Sequence, residues 1–137
     1  MTPLAPHLTA FLRERLPRER RASPHTCDAY AYAFQLLLSF VATRLRTRPS
    51  ALMLEQLDVP TVLAFLDDHE TTRGNSTRTR NARLAAIKSF ARFVEYRVPA
   101  SVQQVHCLLA IPSKKTDEAL VAYLTREEMQ AMGFSIR

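Results

Sequence analysis

The chain has 137 residues, 19 Lys+Arg against 13 Asp+Glu for a net charge of +6, 47% hydrophobic residues, 2 Cys, 2 Gly and no Trp. That is one small domain's length with enough apolar content to bury a core, and two cysteines make no disulfide framework, so a reduced, cytoplasmic protein is expected. No apolar run approaches the roughly 20 residues that span a bilayer, and the first charge is Arg13, so membrane insertion, secretion and a large multidomain enzyme are all disfavoured.

Long runs of helical period and the scarcity of glycine predict an all-α domain, with no period-2 alternation or hairpin signal. A first helix is expected from about Pro6 to Leu16, carried by Leu8, Phe11 and Leu12 and closed by Pro17. A polar connector, Pro17 to Ala22, follows. The second helix opens with Ser23 as N-cap and Pro24 at the first helical position. Its buried stripe is Tyr30, Phe34, Leu37, Leu38, Val41 and Leu45, and Arg44, Arg46 and Arg48 offset the negative end of its dipole. A short third helix, about Pro60 to Glu70, presents Val62, Leu63, Phe65 and Leu66 to the core, with Asp58 as its cap and a solvated His69 near its end. The turn Thr71–Asn75 contains Gly74. The fourth helix runs from near Ser76 to near Arg97, burying Leu84, Ile87, Phe90, Ala91, Phe93 and Val94. The fifth, about Ala100 to Ala110, buries Val102, Val105, Leu108 and Leu109, with Cys107 as a small hydrophobe on the same face. Residues 112–123 read as a polar linker. Thr125 and Glu128 then form a capping box that opens a further helix, Thr125–Met132. The expected organisation is a helical domain over 1–111, a linker over 112–123 and the start of another unit over 124–137.

The positive charge is segregated. Residues 13–48 carry net +5, residues 49–72 net −5 and residues 73–97 net +6. Two basic segments around an acidic one predict a polarised surface that steers a polyanion to one face. On the fourth helix, Arg78, Asn81, Ala85, Lys88 and Arg92 recur at helical spacing as a stripe that no acid interrupts. Solvated faces usually mix signs, so this one reads as a DNA-facing surface: Arg and Lys suit phosphates or guanine edges, and Asn suits adenine. The hydroxyl-rich first turns of helices two and four (Ser23, Thr26, Ser76, Thr77, Thr79) fit both capping and phosphate contact.

Other chemistry finds little support. His25 with Cys27, and His106 with Cys107, lack metal-ligand spacing. No glycine-rich phosphate loop is present, and Asp67–Asp68 and Glu127–Glu128 point to different helix sides. No catalytic constellation, metal, cofactor or small-molecule substrate is predicted.

Three segments carry a family resemblance. Ser23-Pro-His-Thr-Cys-Asp-Ala-Tyr30 resembles the Ser-x-x-Thr-x-x-x-Tyr signature of tyrosine recombinases, which include the phage integrases and Xer recombinases. Thr79-Arg-Asn-Ala-Arg-Leu-Ala-Ala-Ile-Lys-Ser-Phe90 is similar to their SINRRLSALRSF helix, with Asn81, Arg83, Leu84, Ala86, Ser89 and Phe90 in register. Ile111-Pro-Ser-Lys-Lys115 and Leu124-Thr-Arg-Glu-Glu-Met129 resemble the family's linker and the opening of its catalytic domain.

The resemblance implies a core-binding, SAM-like bundle of four to five helices that forms half of a C-shaped clamp on double-stranded DNA, in DNA integration or recombination. Its implied DNA contacts are His25 and Thr26 on helix two; Ser76, Arg78, Thr79, Asn81 and Ala82 on helix four; and Lys114 and Lys115 in the linker. The basic stripe adds Lys88 and Arg92. Asp28, Ala29, Ala82 and Cys27 depart from the family's commoner residues, so helix two is expected to read bases less. The family's catalytic Arg, Lys, His and Tyr residues belong to a separate C-terminal domain, so this chain is not expected to cleave DNA by itself. The alternative is a helical protein–protein module that contributes to recombinase assembly, marked by apolar exposure on helix five or one.

Overall fold

The computed structural model describes residues 2–115. The expected helix Thr125–Met132, its capping box and most of the polar linker lie outside the described residues.

Helix α1 starts at Ala5 as an α-helix, Ala5–Ala10, and continues as a π-helix, Phe11–Glu19. The sequence reading ended this helix at Pro17, but the helix passes through it. Proline has no N–H, and in an α-helix its ring strikes the carbonyl four residues back. The wider π turn hydrogen-bonds five residues back, so Pro17 is accommodated rather than terminal. The Arg20 amide accordingly donates to the Arg15 carbonyl at 2.9 Å. Arg21, at φ 51, then turns the chain into the next helix.

Helix α2 is Pro24–Leu45, capped by Ser23 as expected, and ends on Arg46 in the left-handed conformation. Two short 3-10 turns, Pro49–Ala51 and Leu54–Gln56, lead to α3, Val59–Thr71, where the Asp58 carboxylate accepts from the Thr61 amide at 3.0 Å. Gly74, at φ +66, lets the chain reverse after α3. Helix α4 is Thr77–Arg97, capped by Ser76, and α5 is Val102–Leu109, entered through the 3-10 turn Pro99–Ser101. The described residues contain no strand beyond an isolated bridge, Pro3 to Met53, which ties the N-terminus to the loop before α3. The Gln104 side-chain amide donates to the Leu54 and Leu57 carbonyls at 2.9 and 3.0 Å, which satisfies the loop's main chain from α5.

Phe11 lies at the centre of the core. Its ring packs on Phe34, Phe90 and Phe93 at centroid separations of 6.1, 5.5 and 5.5 Å, and stacks on Tyr30 at 6.3 Å. One side chain of α1 thereby binds α2 and α4 together. The expected stripes on α2 and α4 are buried, with Phe34, Leu37, Val41, Leu84, Ile87, Phe90, Ala91 and Val94 in the core. At the margins the expectations fail. Leu45, Leu63 and Val102 are exposed, because no element of the described residues packs over the helix ends or the outer edge of α3. Cys107 is exposed too, since α5 turns only Val105 and Leu108 fully inward. His69 is the opposite case. It was expected in solvent, yet it is only 1% exposed, edge-on to Phe65 at 4.4 Å, with the Asn75 amide 3.0 Å from its Nδ1.

Candidate nucleic-acid interface

The two candidate helix starts have the same local construction. The Ser23 hydroxyl accepts from the Thr26 amide at 3.1 Å and lies 3.0 Å from the Thr26 hydroxyl. The Ser76 hydroxyl accepts from the Thr79 amide at 3.1 Å and lies 3.2 Å from the Thr79 hydroxyl. Each Ser–Thr pair closes a helix N-terminus, where unpaired main-chain N–H groups and the positive dipole end favour an anion. His25 and Arg78 are exposed beside these caps, and Thr26 and Thr79 are half-buried.

The N-terminal halves of α2 and α4 are in contact. The Arg83 guanidinium sits 5.1 Å from the centre of the Tyr32 ring, a cation–π contact across the two helices. Further along α2, towards its C-terminal end, Arg44, Arg73 and Asp68 line a depression of about 440 Å³ between α2 and α3.

The basic stripe of α4 divides into two edges. Arg78, Ala82, Ala85 and Arg92 are exposed. Asn81 and Lys88 face the connector that leaves α5. The Lys88 ammonium donates to the Ile111 carbonyl. The Asn81 amide donates to the Lys114 carbonyl at 2.7 Å and accepts from the Lys114 N–H at 2.9 Å. Beneath them Arg80, only 6% exposed, donates to the Pro112 carbonyl and to Asn81 Oδ1, both at 3.2 Å. Glu70 of α3 completes the cluster, with Arg80 Nε at 3.8 Å and the Lys114 ammonium in hydrogen-bond contact. Those two cations, with the Lys114 hydrogen bond first, hold the Glu70 carboxyl below its ordinary range.

Residues 8–97 match the family described as phage integrase, N-terminal SAM-like domain. The chain belongs to this family. Two relatives come from Sinorhizobium fredii (strain NBRC 101917 / NGR234). The chain is similar to "Putative integrase/recombinase y4rC", at 46% identity over 94% of this chain and 39% of the relative. It is also similar to "Putative integrase/recombinase y4rD", at 45% identity over 94% of this chain and 46% of the relative. The chain thus spans less than half the length of these curated relatives. No solved structure matches it at a significant level.

The all-α bundle is therefore that of an integrase SAM-like domain. Of the positions singled out in the sequence, His25, Thr26, Ser76, Arg78 and Thr79 cluster at the two helix starts, and Arg92 lies further along the open edge of α4. Asn81, Lys88 and Lys114 meet at the connector, and exposed Lys115 follows them. Sequence reasoning missed Arg80, Glu70 and Tyr32. A signal for Arg80 existed: it precedes Leu84, Ile87, Ala91 and Val94 by 4, 7, 11 and 14 residues, on the buried stripe. An arginine there needs partners for its donors. Nothing local marked Glu70, because its partners lie 10 and 44 residues away in sequence. Among the described residues no group of three or more His, Cys, Asp or Glu could hold a metal ion.

Proposed function

We propose that this integrase SAM-like domain grips duplex DNA through the N-terminal halves of α2 and α4, as one half of a recombinase clamp, and does not cleave DNA by itself. The observation that carries this reading is the matching Ser–Thr caps on two helices held together by the Tyr32–Arg83 contact, with Arg78 and Arg92 exposed along α4. Caps and dipole ends position phosphates, while His25, Thr26, Ser76, Arg78 and Thr79 reach the groove. Lys114 and Lys115 track the backbone where the chain leaves the domain. Asn81 and Lys88 reach DNA only by letting go of the connector, so their part in binding runs through it.

Fluorescence anisotropy on a labelled mixed-sequence duplex tests this. Affinity should fall with salt along a log–log slope of about −4 to −6, for roughly five or six neutralised phosphates at about −0.9 each. A flat response, or no binding at low salt, rules the reading out. A nicking assay on supercoiled plasmid should show no strand cleavage by this chain.

One observation favours a second reading, a protein–protein role in recombinase assembly. Tyr96 is 85% exposed at the end of α4, and Val102 is 41% exposed at the start of α5. Sedimentation showing concentration-dependent oligomers without DNA would favour this role.

A further inference from the structure

We infer that Asn81 and Lys88 are positioning residues that fasten the connector 111–115 along α4 and set the direction in which the chain leaves the domain. The lengths agree. Asn81 and Lys88 are seven residues apart on a helix, about 10 Å at 1.5 Å per residue. Their bonded partners, Lys114 and Ile111, are three residues apart in extended chain, again about 10 Å at 3.3 Å per residue. The connector therefore runs antiparallel to α4, from its middle back to its first turns, with a hold at each end.

The residue types suit the task. A side-chain amide carries one donor face and one acceptor face, so Asn81 can pair with both the N–H and the C=O of a single residue, as a neighbouring strand would. Lysine, which only donates, and alanine, which does neither, cannot. Lys88 has only donors and takes only a carbonyl. Arg80 holds the Pro112 carbonyl between them, and Glu70 anchors both Arg80 and the Lys114 ammonium. The connector's carbonyls at 111, 112 and 114 thus each receive a side-chain donor from α4. An incidental contact would not engage three carbonyls in sequence. Lys114 and Lys115 are delivered to the end of α4 that carries Ser76 and Arg78. The value of that delivery rests on the DNA-binding reading, but the fastening does not.

The test uses the 137-residue chain without DNA. Amide exchange by NMR should show the Lys114 N–H protected at least about tenfold over the Ser113 N–H. Asn81→Ala should abolish that protection and speed tryptic cleavage after Lys114 by about tenfold, with the thermal midpoint lowered only slightly by the acceptor that Arg80 loses and the exchange of core amides in α2 and α4 unchanged. A role confined to stabilising the domain would instead move the midpoint and every core amide together. Asn81→Asp, which can accept from Lys114 N–H but not donate to its carbonyl, should fall between the two. If Asn81→Ala does not fold, Lys88→Met should still raise the cleavage rate. Unprotected Lys114 in the unsubstituted chain, or cleavage unchanged in the variants, overturns the proposal. Protection without any DNA binding would leave the fastening standing and remove the clamp reading. DNA binding without protection does the reverse.

Discussion

His69 shows how far a residue can sit from its apparent place. Its sequence neighbours are Asp68 and Glu70, yet the ring is buried on Phe65 and accepts from Asn75. Burial first, then the nearby Arg83 and Arg73, push its pKa below the usual 6.5, against a smaller opposing pull from Asp68. A histidine depressed in the folded state binds its proton more readily when unfolded. Stability from this group is therefore complete above pH 6.5 and is lost as pH falls from there toward the depressed folded value. The urea midpoint should drop between pH 7.5 and 5.5, and His69→Gln should flatten much of that dependence. His7 shifts the same way, through burial first and then Arg97, and contributes to what remains. The same reasoning at Phe11 is steric. Its ring touches four other aromatic rings on α2 and α4, so Phe11→Ala should cost about 3–5 kcal/mol in denaturant unfolding.

At the scale of elements, the helix starts were readable and the helix interiors only partly so. Ser23, Asp58 and Ser76 cap where their chemistry places them, because a cap is decided within four residues. Ser76→Ala should lower stability by about 1 kcal/mol and weaken DNA binding as well, since the same turn presents Arg78. Pro17 was misread because a proline in sequence shows the lost N–H but not the wider turn that tolerates it. The α4 stripe is a different case. Arg78, Asn81, Lys88 and Arg92 do share a side, but periodicity cannot say that the chain's own connector covers two of them. Arg78→Ala should lessen the salt slope by about 0.9 with helix content unchanged, and Arg92→Ala should do the same if its edge lies on the backbone.

For the whole molecule, the alternation of basic and acidic segments became a geometric relation. The acidic segment contributes Glu70, which binds the basic segment at Arg80 and the connector at Lys114. The free protein thus holds Lys114 against a carboxylate, while Lys115 is exposed. In the proposed clamp, Lys115→Ala should reduce the salt slope more than Lys114→Ala, because a phosphate must first displace Glu70 from Lys114. Equal slopes would mean that Glu70 yields freely.

The sequence by itself determined the helical class, the caps, the buried stripes of α2 and α4 and the family. Each of these depends on short-range periodicity, or on residue types at fixed spacing. Only the tertiary structure decided that His69 is buried, that Arg80 has a place inside, and that Asn81 holds the connector rather than standing free. Those outcomes depend on which element lies across a helix face. The Arg80–Pro112 and Asn81–Lys114 pairings join residues 32 and 33 positions apart, and local pattern carries no record of them.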